Sequence, residues 1–182
     1  MMPLWGAEID IRSGQGQILT LAHDPFKPGD NLDQWLGEYR RLGLKGPIIL
    51  NTKEDGLEGL CLEKMKFHGI SNFFFLDSTV PTLVKWTIKN RESRFAVRHS
   101  VFEPLAGVMN FAGKAEWVWV DCFDGNPPPV EDLKALKKVF KVCLVSPELQ
   151  IGLTANTTTD ISRFSSLRPY ADAICTKVPE YW

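Results

Sequence analysis

Apolar and polar residues follow a repeating order along most of the chain. A short apolar run leads to a polar residue or turn, and a longer segment with helical spacing comes next. The runs are rich in β-branched and aromatic residues, which favour strands. Seven strands are predicted, at residues 7–11, 47–53, 72–77, 94–99, 117–122, 142–146 and 173–177. Helices are predicted at residues 31–42, 56–68, 80–90, 102–112, 130–140 and 158–168.

This alternation of strands and helices predicts an α/β fold in which helices cover a parallel sheet. Polar residues fall at the carboxyl ends of several strands, as they do in the active sites of (β/α) barrels. We therefore favour a TIM-type barrel over an open doubly wound sheet. No linker divides residues 1–182, which predicts a single domain. The strand-end residues are Asn51, Lys53, Asp77, Arg98, His99, Asp121 and Lys177.

Composition excludes several classes of protein. The net charge of −1 gives no basic surface for nucleic acid, and the longest apolar runs are too short to span a membrane. The first residues do not resemble a signal peptide. The four cysteines are widely spaced, which is typical of buried thiols in a reducing compartment. We therefore expect a cytoplasmic protein with a small-molecule partner and no transmembrane segment.

The first predicted strand carries two acidic residues where strands seldom have them. Glu8, Asp10 and Arg12 share one face, because side chains alternate along a strand. Two carboxylates on one face repel each other unless a cation lies nearby. A second short strand, QILTLAHD, ends in His23-Asp24.

The pattern E-x-D, twelve residues and H-D resembles the glycerophosphodiester phosphodiesterase family, within the phospholipase-C-like barrel group. The resemblance implies that Glu8 and Asp10 bind a divalent cation, Mg²⁺ or alternatively Ca²⁺, and that His23 is a general acid or base. It also implies a catalytic role for Lys53, which would contact the substrate phosphate. Asn51 stands where the family has a further acidic residue, so its amide oxygen becomes the third candidate metal ligand.

The chain departs from the family at its start as well. The family begins with a strand ending in H-R-G, which supplies a second catalytic histidine, and this chain starts after that point. We therefore expect a barrel of seven parallel strands that lacks the first βα unit. The strands at residues 7–11 and 173–177 would then face a gap. This gap could be covered by closure within the chain, by the segment MMPLW lying across it, or by a homodimer.

Other polar residues are assigned by their positions at strand ends. Arg12 and Arg98 are candidate phosphate contacts, and a further set is expected at the rim of the site. For each there is a structural alternative: the acidic pair could be neutralised by Arg12 and Lys53, and the rim tryptophan could belong to the core. The rim set is Asp77, His99, Trp119 and Asp121.

The leading hypothesis is a metal-dependent phosphodiesterase acting on a small or lipid-derived phosphodiester of the glycerophosphodiester type. The alternative is a catalytically impaired relative that serves as a metal- or anion-binding module. A lyase using Lys53 as a Schiff-base nucleophile is less favoured, because nearby carboxylates stabilise the charged amine.

Overall fold

The computed structural model describes residues 5–182, which form two compact units divided after Asn90. The predicted α/β class is confirmed. The expectation that a single domain spans the chain stays a prediction, and each unit is described by itself.

The first unit contains five strands and three helices. Its strands are β1 (Ala7–Ser13), β2 (Leu19–Leu21), β3 (Asp30–Asn31), β4 (Ile48–Thr52) and β5 (Phe73–Leu76). Its helices are α1 (Leu32–Arg41), α2 (Glu58–Phe67) and α3 (Val80–Leu83), which continues as a π-helix at Val84–Lys89.

The sheet of the first unit is mixed, in the order β3-β2-β1-β4-β5. β4 is parallel to both β1 and β5, whereas β2 is antiparallel to β1. Every residue of β4 and β5 is buried, while β1 buries Ile9 and Ile11 and leaves its other face partly accessible. The face of β1 that carries Glu8, Asp10 and Arg12 is therefore partly accessible, and it lies next to the buried strand β4.

Helix α1 illustrates how the sequence specifies these elements. The Asn31 side chain caps it by accepting a hydrogen bond from the backbone N–H of Gln34 at 3.2 Å. Leu32, Leu36 and Tyr39 are buried at helical spacing, so one face of the helix packs on the core. This is the helix predicted at residues 31–42.

The second unit has a four-stranded parallel sheet, in the order β6-β7-β8-β9. The strands are β6 (Ala96–His99), β7 (Trp117–Val120), β8 (Lys141–Val145) and β9 (Ala173–Cys175). The helices are α4 (Leu105–Met109), α5 (Val130–Leu136), α6 (Glu148–Ile151) and α7 (Thr157–Ser162), with 3-10 helices at Ser165–Tyr170 and Pro179–Tyr181.

The seven predicted strands correspond to β1 and β4–β9, and each is parallel to its neighbours from that set. No closed barrel is detected in residues 5–182, where the hydrogen-bonded ladders form two sheets and the all-parallel one has four strands.

The prediction that the strand at residues 7–11 faces a gap is wrong for its carboxyl-terminal part. Ile11, which ends that segment, pairs with Leu21 of β2 on the side away from β4, and the Ala22 N–H donates to the Asp10 carbonyl at 3.1 Å. The hairpin formed by β1 and β2 supplies the missing hydrogen bonds, because the glycine-containing segment between them reverses the chain. Residues 1–4 of the proposed MMPLW cover lie outside the described residues.

An ion-paired cluster joins helices α1 and α2. The Asp33 carboxylate lies 2.6 Å from Lys64 Nζ and 3.1 Å from His68 Nε2. Burial acts to raise the pKa of Asp33, but the hydrogen bonds from Lys64 and His68 outweigh it and hold that pKa below its usual value. The folded state is therefore stabilised by the ionised form of this carboxyl.

We expect Asp33→Asn to lower the free energy of unfolding near pH 7 by about 0.5–1 kcal/mol, since the pair is partly exposed. The lowered pKa confines this stabilisation to pH values above the usual carboxyl range, and it disappears as the pH falls through the folded-state pKa. Urea unfolding of both proteins, near pH 7 and in steps down through the acidic range, measures how the difference shrinks. Glu38→Gln, in an exposed pair on α1, is the control. A difference that persists at the lowest pH would contradict the ion-pair explanation.

Candidate functional site

The parallel pairing of β1 with β4 places four polar side chains together in the first unit. Asp10 lies opposite Asn51 in the ladder, and residues paired in this way share a face of the sheet. Glu8 lies two residues before Asp10 on that face, and Lys53 directly follows β4. We call Glu8, Asp10, Asn51, Lys53 and the nearby Asp77 the polar edge.

Lys53 is the cation at the centre of the polar edge. Its Nζ lies 2.9 Å from Asp10 Oδ1 and 3.9 Å from Asp77 Oδ2. The backbone N–H of Lys53 also donates to the carbonyl of Ile11 at 3.0 Å, which continues the ladder beyond β4 and fixes the base of the side chain. The three charged side chains are 17–28% exposed, so solvent and ions can reach them.

Asp77 directly follows β5 and has a φ of 63°, in the left-handed region that few residues other than glycine adopt. Aspartate tolerates this conformation better than most residues. The sharp turn ends the strand at the point where the Asp77 carboxylate approaches Lys53.

Glu8 and Asn51 form the second contact of the polar edge. Asn51 Nδ2 donates to Glu8 Oε1 at 2.8 Å, and Asn51 itself is 6% exposed. Its Oδ1 is buried without a hydrogen-bond partner among the described residues. A buried acceptor of this kind costs free energy unless a donor or a cation meets it.

The electrostatics of Glu8 differ from those of an isolated surface carboxyl. Partial burial raises the pKa of Glu8, the hydrogen bond from Asn51 opposes that rise, and the negative charge of Asp10 adds to it. A positive charge close to both carboxylates would stabilise their ionised forms.

The donor set of the polar edge fits a hard divalent cation. Two carboxylates and an amide oxygen are ligands that Mg²⁺ and Ca²⁺ accept, with water completing the coordination. Among residues 5–182 no group of three or more His, Cys, Asp or Glu side chains is arranged to hold a metal ion. The Asn51 amide oxygen, a buried acceptor without a partner among residues 5–182, is a further candidate ligand.

Arg12 and His23 lie near each other, at the hairpin. Arg12 donates twice to the His23 carbonyl, at 3.0 and 3.2 Å, and contacts Glu54 Oε1 at 3.5 Å. The His23 ring is exposed and its Nδ1 lies 2.9 Å from Asp24 Oδ1. Within the described part of the chain, the hydrogen-bond partner of the ring is Asp24 and not Glu8 or Asp10.

A shallow groove adjoins the Arg12 side chain. It has a volume of about 410 Å³. Glu54, one of its lining residues, also accepts hydrogen bonds from the backbone and hydroxyl of Ser13, so this glutamate holds the end of β1. The lining residues are Arg12, Ser13, Thr20, Pro25, Phe26, Lys27 and Glu54.

In the second unit, Asp121 is the centre of a buried hydrogen-bond network. Its carboxylate accepts from Arg98 at 3.0 Å, Trp119 Nε1 at 3.2 Å and the Cys122 N–H at 2.9 Å. Gln150 Nε2 donates to it at 2.6 Å. Asp121 and Trp119 are 4% and 5% exposed, so these two predicted rim residues belong to the interior.

His99 ends β6 and is also buried. Its Nδ1 lies 3.1 Å from the carbonyl oxygen of Glu103, and its Nε2 lies 3.3 Å from Asp132 Oδ2. Both ring nitrogens therefore face acceptors. His99 is therefore held at the strand end by contacts with Glu103 and Asp132 of its own unit.

Several functional-looking groups have no counterpart in the sequence prediction. Glu54, Gln150 and Glu148 each accept or donate hydrogen bonds at strand ends, and Glu148 is 3% exposed with the Ser146 and Thr176 hydroxyls as donors. They follow a strand by two to five residues, so attention to the turn after each strand, and not only to its last residue, would have found them.

Comparisons with protein-family models and with curated proteins gave no match. No helix in residues 5–182 is long and apolar enough to cross a membrane.

We expect Arg98→Met to lower the free energy of unfolding by about 1–3 kcal/mol, because it removes a charged donor from the buried Asp121 carboxylate. Chemical denaturation checks this value. Lys134→Met, which breaks an exposed pair with Glu131, is the matched control and should change stability by less than about 0.5 kcal/mol. Equal effects of the two substitutions would show that the Arg98 contact is no stronger than a surface pair.

Proposed function

We propose that the chain is a metal-dependent phosphodiesterase-like protein that acts on a small or lipid-derived phosphodiester of the glycerophosphodiester type. The observation that carries the proposal is the buried Asn51 Oδ1, which has no partner among the described residues and belongs to an amide bonded to Glu8. A divalent cation held by Glu8, Asp10 and Asn51 would satisfy this oxygen and offset the repulsion between the two carboxylates.

Each residue of the polar edge has a role in this proposal. Glu8, Asp10 and Asn51 would hold the cation, which supplies Lewis-acid stabilisation of a phosphoryl oxygen when bound. Lys53 would contribute a positive charge next to a phosphate oxygen. Arg12, at the neighbouring hairpin, remains a candidate phosphate contact, although it is paired with Glu54 in the structure. The phosphate role of Arg98 stays a prediction from the sequence, and in its own unit this residue is paired with Asp121.

Proton transfer is assigned to His23. Its exposed ring can reach solvent and substrate, and the contact of Nδ1 with Asp24 would orient the ring and leave Nε2 for the reacting oxygen. Hydrolysis also requires a second proton-transfer group.

A second candidate is a binding module that takes up a cation or a phosphate without turnover. The pairing of the His23 ring with Asp24, away from the polar edge carboxylates, favours it. Both candidates use the same cation ligands and differ in whether His23 acts.

The proposal also includes the expected barrel fold, the cellular location and the oligomeric state. A phospholipase-C-like (β/α) barrel is part of the proposal, and the parallel pairing of β1, β4 and β5 in one unit and of β6–β9 in the other supports it. The four free cysteines agree with the expected reducing, cytoplasmic location. A homodimer covering an open edge also stays part of the proposal.

Isothermal titration calorimetry should show one Mg²⁺ or Ca²⁺ site that Asp10→Ala abolishes, because the substitution removes one of the two carboxylate ligands. Asp24→Ala, which removes an exposed carboxylate outside the polar edge, is the matched control and should retain the site. Circular dichroism establishes that both variants are folded. Equal cation affinity in the wild type and in Asp10→Ala would contradict the ligand assignment.

If the protein is an enzyme, metal-dependent hydrolysis of an aryl phosphodiester should fall by about 10²-fold or more in His23→Ala, the usual scale for loss of a general acid or base. Gln17→Ala, at an exposed position of the same hairpin, should leave the rate unchanged. Full activity in His23→Ala would assign proton transfer to another group. Absence of turnover together with intact cation binding would favour the binding module.

A further inference from the structure

The ammonium of Lys53 contacts Asp10, a carboxylate that the proposed cation would also bind. Its Nζ lies 2.9 Å from Asp10 Oδ1, the distance of a direct charge-assisted hydrogen bond. The lysine therefore neutralises Asp10 when no other cation is bound. A divalent cation at the same carboxylate would lie next to the Lys53 ammonium, and the two cations would repel each other.

The geometry also gives the ammonium a place to move. Asp77 Oδ2 lies 3.9 Å from Nζ, at the limit of an ion pair, so its attraction is weaker than that of Asp10. The lysine side chain has a flexible four-carbon stem, while the backbone at its base is fixed by the hydrogen bond to Ile11. The ammonium can leave Asp10 without any movement of the sheet.

The remaining ligands make the displacement selective. Asn51 Oδ1 offers a cation a contact that Lys53 lacks in the structure, since among residues 5–182 the ammonium forms ion pairs with Asp10 and Asp77. A cation that uses all three ligands can therefore outcompete the lysine at Asp10.

We propose that Lys53 is the resident counter-ion of Asp10, and that a divalent cation displaces its ammonium and makes it available to a phosphate anion. The inference rests on the proposed function and adds a rule for it: cation and phosphate bind with positive coupling, and Lys53 carries that coupling. By linkage, each ligand strengthens the binding of the other by the same factor.

The test is calorimetric titration of Mg²⁺ in the absence and presence of inorganic phosphate, with free concentrations corrected for the complex of the two ions. In the wild type, phosphate should tighten Mg²⁺ binding by about 5–150-fold, the usual range for coupled sites, and Mg²⁺ should tighten phosphate binding equally. In Lys53→Met, Mg²⁺ alone should bind more tightly than in the wild type, and the coupling should be lost.

Two further variants keep the test decisive. Lys45→Met removes an exposed lysine of the same unit and should leave both the affinity and the coupling as in the wild type. Lys53→Gln keeps a polar side chain beside Asp10 and replaces Lys53→Met if the latter does not fold. The coupling between Mg²⁺ and phosphate is measured on the wild-type protein, so that part of the test does not depend on whether a variant folds.

The outcomes separate this inference from the proposed function. Mg²⁺ binding that loss of the Lys53 charge leaves unchanged or weakens overturns the counter-ion role. Coupling that persists in Lys53→Met shows that phosphate binds the metal directly and also overturns the inference, while the metal site stands. Absence of Mg²⁺ binding in the wild type, Lys53→Met and Lys53→Gln removes the metal site, and the proposed function fails with it.

Discussion

The parallel hydrogen-bonded ladder between β1 and β4 is the constraint on which the polar edge depends. It sets Asp10 opposite Asn51 and, through the backbone bond from Lys53 to Ile11, holds the lysine at the end of the same pair of strands. Strand register has a period of two, so a slip of one residue would send these side chains to the opposite face. The buried Ile9 and Ile11 prevent such a slip, because it would expose them to solvent.

The second unit uses the same arrangement for stability. Its four parallel strands are also followed by polar residues, but there hydrogen-bond donors satisfy the buried carboxylates, with four donors around Asp121 and three around Glu148. The polar edge of the first unit differs in leaving a buried oxygen of Asn51 without a partner among the described residues. Polar residues at strand ends are thus not sufficient to identify a site, and the state of their hydrogen bonds decides between structure and function.

The sequence predicted the strands well because buried parallel strands are continuous apolar runs, as in FFFL of β5 and WVWV of β7. It did not predict the two-residue strand β3 or the π-helix at Val84–Lys89, since β3 is set by its pairing with β2 and the π-helix by local i→i+5 hydrogen bonds, and apolar periodicity reports neither. Glu8 and Asp10 stood out because they share one face of a strand, and the roles of Asn51 and Lys53 came from the resemblance to the phosphodiesterase family. The burial of Trp119 agrees with the core-packing alternative, whereas the burial of Asp121 was not predicted, because alternation gives a direction but not the depth of a side chain.

The position of β4 between two parallel partners has a consequence for the motions of the protein. Its amides are hydrogen-bonded in a ladder that is buried on both faces, so they should exchange with solvent only when the whole unit opens. The loop that carries His23 and Phe26 is exposed and can open at much lower free energy. Asn51 and Lys53 are therefore held at the end of a strand that opens only with the whole unit, whereas His23, the group proposed to move a proton, lies on an exposed loop.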